Sequence, residues 1–263
     1  MLQFRYESAF GDSPNIMAGG MRHVHRRKKR AWWIVGALFA LDLAGGVGIS
    51  AASFSYFFPT PLRAAGIAVP FVLQAPYSKW VQPYEDACEE AVMVMLDAWA
   101  RGDTRDRIPA DEANRRILEI VALEREVLGY GKDTSIAEMI RLINEYGTFW
   151  AYAVRNPSIE DIKAEIDRGQ PVAVPVWGKM LMKANPYFSR PGPTYHTILV
   201  TGYDDAKKQF IVQEPGVGRG RNYRYPYNVV MDGMADLKLG EDGRPVAGGE
   251  RFALFVRLQK TQK

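Results

Sequence analysis

The sequence predicts an α+β fold, on two observations. Helical signals run from about Cys88 to Asp167, while most strand signals come later, between Thr148 and Leu258. The two groups also differ in texture: the first has apolar residues at helical spacing, the second short runs rich in Val, Ile, Phe and Tyr.

The helices are expected over 88–100, 111–128, 135–146 and 158–167, with Asp111, Ser135 and Ser158 as candidate caps. Pro83 and Asp86 suit a turn and a cap ahead of the first. Strands are expected over 148–154, 172–177, 196–203, 209–213 and 251–258. A hairpin turn through Asp204-Asp205-Ala206-Lys207-Lys208 joins the third strand to the fourth. Two long irregular stretches remain, 179–195 and 215–249, and loops of that size inside a domain are often functional. An antiparallel sheet following a helical part is the architecture these pieces make.

Ahead of the domain, expected at 70–263, lie three segments: a basic cytoplasmic tail at 1–30, an apolar segment at 31–58 and a linker at 59–69. The tail holds seven Lys/Arg against Glu7 and Asp12, which makes it +5. The apolar segment has Asp42 as its one charged residue and is long enough to span a bilayer. Basic residues beside a span stay cytoplasmic, so the domain would lie outside, tethered to the membrane. Asp42 near the middle costs about 2.5–3.5 kcal/mol on insertion scales, which keeps a cleaved signal peptide open. In that case Ser50-Ala51-Ala52 supplies the small residues of the cleavage site. Met1 and Met21 are both candidate starts.

Charge and cysteine usage exclude several classes. Outside the tail, 27 basic residues meet 28 acidic ones, so the folded part is near neutral and a nucleic-acid-binding core is not expected. One cysteine rules out an internal disulfide, and no closely spaced Cys/His ligand pairs suggest zinc. No metal and no cofactor are expected.

The same lone cysteine is the candidate nucleophile. Cys88 begins the first helix, where the helix end favours an anion and lowers a thiol pKa. Glu89 and Glu90, in the same turn, are expected to face solvent. Gln82 lies six residues upstream and could pair with the Cys88 backbone N–H as an oxyanion donor. His196 opens a strand and is the only histidine after residue 60, so it must serve as base if Cys88 acts. Glu214, 18 residues on, could accept the second ring N–H, with Asp204 and Asp205 as alternatives.

The runs QAPYSKWVQPYEDACEEA, HTILVTGYDD and QEPG together resemble the papain-fold cysteine peptidases related to the double-glycine-leader (bacteriocin-processing) peptidases. The resemblance covers roughly 69–258 and implies Cys88 as nucleophile, His196 as base and Gln82 as the oxyanion glutamine. One departure stands out: the family pattern commonly has Asp-Pro where this chain has Glu214-Pro215. The implied activity is hydrolysis of peptide bonds in a peptide or protein substrate. A non-catalytic papain-like module binding peptide or cell wall, or a related Cys-His-acid acyl transferase or amidase, are the alternatives. No phosphate-binding Gly-x-x-x-x-Gly-Lys loop accompanies the domain.

Overall fold

The computed structural model describes residues 63–258. The basic tail and the apolar segment lie outside the described residues. Among the described residues, no helix is long and apolar enough to cross a membrane.

In chain order the elements are β1 (Ala64–Gly66), α1 (Cys88–Ala100), α2 (Ala110–Val127), α3 (Ile136–Tyr146), β2 (Phe149–Arg155), α4 (Ile159–Asp167), β3 (Val172–Trp177) and α5 (Gly178–Leu181). Then follow β4 (Tyr195–Asp204), β5 (Gln209–Gln213), β6 (Tyr223–Pro226), α6 (Tyr227–Gly233) and β7 (Phe252–Leu258). The strands form one antiparallel sheet in the order β2-β7-β3-β4-β5-β6. Helix and sheet together bear out the α+β reading.

The long strand β4 is the axis of the sheet. Its first half pairs with β3, from Trp177 opposite Tyr195 to Val172 opposite Val200. Its second half pairs on β1, with Gly66 opposite Gly202. Only glycine fits at 202, because a Cβ there would lie 2.6 Å from the Ala65 carbonyl oxygen. The connector expected at 59–69 therefore contributes a strand.

Period-two alternation divides the core. Ala173, Leu199, Leu254 and Val256 join the cluster under α1, α2 and α3. Val172, Val174, Ile198, Val200 and Phe255 join a second cluster with α4, α5 and α6. Helix α1 is buried over Cys88–Ala98. Its burial on every side matches a sequence apolar almost throughout, and fixes the depth of Cys88.

Capping differs in part from expectation. Ser135 and Ser158 each close a capping box, with Glu138 and Asp161 respectively. Asp111 does not cap α2. Pro109 precedes that helix, and Asp111 lies in its first turn, accepting from the Tyr77 hydroxyl at 2.6 Å. Nor does Asp86 cap α1: it ends a short 3-10 turn, Tyr84–Asp86, and Ala87 stands at the cap position without a side-chain bond. The two long loops also gain structure, since α5 lies in the first and β6 with α6 in the second.

Candidate active site

Four segments meet at a cleft of about 470 Å³: the loop carrying Gln74 and Trp80, the start of α1, the loop Tyr187–Pro193, and the stretch from His196 to Gly218. Cys88 and His196 both line it. Trp80 and Tyr187 remain 43% and 47% exposed on its walls, so aromatic surface is open to an incoming chain.

His196 is held from behind. It is the second residue of β4, opposite Val176 of β3, and its side chain is buried. Its Nε2 lies 2.5 Å from Glu214 Oε1. Phe188 packs edge-on against the ring, centroids 5.6 Å apart. A carboxylate at Nε2 keeps the N–H on that nitrogen and leaves the Nδ1 lone pair for a proton from elsewhere.

Glu214 in turn is surrounded by donors. The Gly216 backbone N–H donates to Oε1 at 2.8 Å, and the Tyr225 hydroxyl donates to Oε2 at 2.9 Å. Tyr225 accepts from Asn185 Nδ2 at 2.7 Å. This chain of bonds, none of it exposed, satisfies a carboxylate that burial would otherwise make costly. The extra methylene of glutamate is thus accommodated at the end of β5. Asp204 and Asp205 are elsewhere: Asp204 pairs with Lys207 and Arg224, and Asp205 with Lys163.

Cys88 is buried, and its surroundings differ from the expectation. The thiol donates to Glu89 Oε2 at 3.2 Å. Burial above all, then the carboxyls of Glu89 and Asp133, push the thiol up, although the Thr197 backbone N–H pulls the other way. The lowering expected from the helix end is therefore overridden. Glu89 and Glu90 do not face solvent: they are 0% and 1% exposed, because α1 is enclosed on all sides. Burial raises both well above the usual carboxyl range. Asp133, burial again leading, is pushed up to about 7.

Gln82 is not among the residues lining the cleft. The turn Tyr84–Asp86 brings two carboxylates under its amide, which donates to Asp86 Oδ2 at 2.9 Å and Glu85 Oε2 at 3.4 Å. Gln74, which the sequence reading passed over, does line the cleft and is buried. Its Nε2 donates to the carbonyls of Tyr84 at 2.9 Å and Glu85 at 3.2 Å. Glycine spacing could have flagged Gly216, two residues after Glu214, but no local signal marked Gln74, Asp133, Asn185 or Tyr225.

Among the described residues, Cys88, Glu89 and Asp133 form the group whose potential ligand atoms lie within 4.8 Å of one another, and they are the ones that could hold a metal. They also abut the thiol, so any occupant would engage the sulfur itself.

The sequence pattern of the Peptidase_C39 like family matches residues 67–236, which contain the cysteine, the histidine and the acid behind it. The chain belongs to the Peptidase_C39 like family. Membership points to cysteine peptidase chemistry in a papain-type fold, as the sequence resemblance implied. A crystal structure provisionally described as a C39-like peptidase from Bacillus anthracis is similar at 15% identity and a TM-score of 0.47, over 75% of this chain and 100% of that one. No curated protein matches the chain. Within this C39-like chain, strand β7 lies beyond the matched residues, yet it pairs with both β2 and β3 and completes the sheet.

Proposed function

We propose that the chain is a cysteine peptidase that hydrolyses peptide bonds through an acyl-enzyme on Cys88. The observation that carries this reading is the buried His196–Glu214 pair, bonded through Nε2, with His196 lining the same cleft as Cys88. His196 takes the thiol proton, and the sulfur attacks the scissile carbonyl. The protonated imidazole then returns its proton to the leaving amine, and water releases the acyl group.

The oxyanion falls to the Cys88 backbone N–H and to Gln74 in place of Gln82. Gln74 exchanges its longer bond, to the Glu85 carbonyl, for the developing charge. The domain works outside the cytoplasm, with 1–30 inside and 31–58 as anchor or signal, a placement supported by the charge and hydropathy of those segments alone.

A specific observation favours a second reading, a non-catalytic binding module: the thiol donates to Glu89, and its surroundings disfavour the thiolate. Alkylation of Cys88 against pH separates the two. In the full-length protein the peptidase reading expects thiolate reactivity below about pH 8, the range of an ordinary thiol, lost in His196→Ala, together with peptide turnover absent in Cys88→Ala. A thiol as slow as free cysteine in both proteins would leave only the binding module.

A further inference from the structure

We propose that Lys179 is a positioning residue for the substrate: its ammonium fixes the Pro191–Gly192 stretch of the cleft wall against which a peptide docks. The role rests on the reading of the chain as a peptidase acting through Cys88, and adds to it what supports one substrate-binding wall. That wall is the run Ser189-Arg190-Pro191-Gly192-Pro193, every residue of which lines the cleft. Its two prolines lack backbone N–H groups, so the run cannot be held by donating along a strand. Among the described residues, no backbone–backbone hydrogen bond reaches it.

The carbonyls of the run are held from α5 instead. Lys179 Nζ donates to the Pro191 carbonyl at 2.5 Å and to the Gly192 carbonyl at 3.1 Å. Both bonds are charge-assisted, the stronger kind. The same short helix and the residue after it seat the run by contact. A Cβ at Gly178 would lie 2.5 Å from the Pro193 carbonyl oxygen, and one at Gly192 would strike Met182 Sδ. Residues 178 and 182 are four apart and share a face, so the wall lies close along that face and the ammonium clamps it there.

The other end of the loop is anchored separately, at the acid behind the base. Asn185 Oδ1 accepts from the Tyr187 backbone N–H at 3.0 Å, while its amide donates to Tyr225 and so connects to Glu214. The Arg219 guanidinium lies over the Tyr187 ring, 5.0 Å from its centroid. Phe188, the neighbour of Tyr187, is the residue that packs on the His196 ring. Releasing Lys179 therefore loosens 190–193 without freeing the aromatic that meets the imidazole. Substrate binding and base geometry depend on different ends of one loop. A loss at the Lys179 end is a loss of uniform binding, which raises KM and leaves kcat.

The test uses the full-length protein and, as probe, the peptide that wild type cuts fastest from a random-sequence library, with Cys88→Ala as the blank. KM and kcat are measured in Lys179→Met and Lys179→Arg, beside alkylation of Cys88 by chloroacetamide, a reagent too small to need the wall. Lys179→Met keeps the stem and removes the donors, and its KM is expected to rise about tenfold, the lower end of what a hydrogen bond to a charged group contributes. Its kcat and alkylation rate stay within about twofold of wild type. Lys179→Arg, with its fork of donors, recovers most of the lost affinity. Should urea unfolding show that Lys179→Met does not fold, Lys179→Gln, one atom shorter and uncharged, is read in the same way. An unchanged KM in Lys179→Met, an equally raised KM in Lys179→Arg, or a joint fall in kcat and alkylation overturns the role of Lys179 alone. A library cut no faster by wild type than by Cys88→Ala overturns the peptidase reading, and the positioning role with it.

Discussion

Gly216→Ala is the sharpest probe of the role proposed for His196. A Cβ at 216 would stand 2.8 Å from Phe188 Cε1, 2.9 Å from His196 Cε1 and 3.0 Å from Glu214 Oε1. Carbon atoms pack at about 3.5–4.0 Å, so roughly 0.6–1.2 Å must be found between an imidazole and the aromatic ring packed edge-on against it. Buried overpacking of this kind costs about 1–3 kcal/mol. Much of the displacement falls on His196, because its carboxylate partner is fixed by the Tyr225 hydroxyl and the Gly216 N–H itself. A misplacement of about 1 Å between reacting groups costs on the order of 10²-fold in rate. The expected result is a fall of about 10–100-fold in kcat with a modest loss of stability, measured by peptide hydrolysis and urea unfolding. Gly66→Ala, where a Cβ meets nothing within 4 Å, is the control. Full activity in Gly216→Ala at wild-type stability would show that His196 need not stand where the structure has it.

Three further outcomes are expected. Tyr225→Phe removes one donor from Glu214 and the acceptor of Asn185 Nδ2, and is expected to cost about 1–3 kcal/mol in urea unfolding; an unchanged midpoint would mean that the hydroxyl carries no structural weight. Gln74→Ala is expected to lower peptide turnover by about 10²-fold while leaving Cys88 alkylation largely intact, and Gln82→Ala to change turnover little; the opposite ranking returns the oxyanion role to Gln82. Glu124, pushed up to about 8 chiefly by burial, holds a proton in the folded state that the unfolded chain, with a carboxyl pKa near 4.3, has released. Its contribution is thus fully present below about pH 4.3 and is lost as pH rises through about 8. Glu124→Gln should match wild type at the acid end and exceed it in stability above pH ~8; equal stability differences at both ends would refute the linkage.

The parts of this protein legible in its sequence are those set by local pattern. Apolar spacing located α1 to the residue, and Ser135 and Ser158 announced their capping boxes because serine and an acid three residues on satisfy the same turn. The meeting of His196 with Glu214 was legible because one lies near the start of β4 and the other directly follows β5, two paired strands. Spacing along the chain does not show that the turn at 84–86 brings Asp86 and Glu85 under the Gln82 amide, away from the residues lining the cleft. Glu89 departs from expectation for a different reason. First-turn carboxylates face solvent on a helix with one wet face, and α1 has none in its first three turns.

That burial sets the two acids lying near the cleft in unlike surroundings. Around Glu214 are a backbone N–H, a hydroxyl and an imidazole, each within hydrogen-bond distance of its oxygens. Around Glu89 are a thiol, other carboxyls and one long hydroxyl bond, and burial, then Asp133 and Glu90, push it well above the usual carboxyl range. Both side chains are fully buried, so exposure does not distinguish them. The groups that reach each carboxyl do: those around Glu214 hold it against the His196 ring, whereas Glu89 is left among other acids beside the Cys88 sulfur.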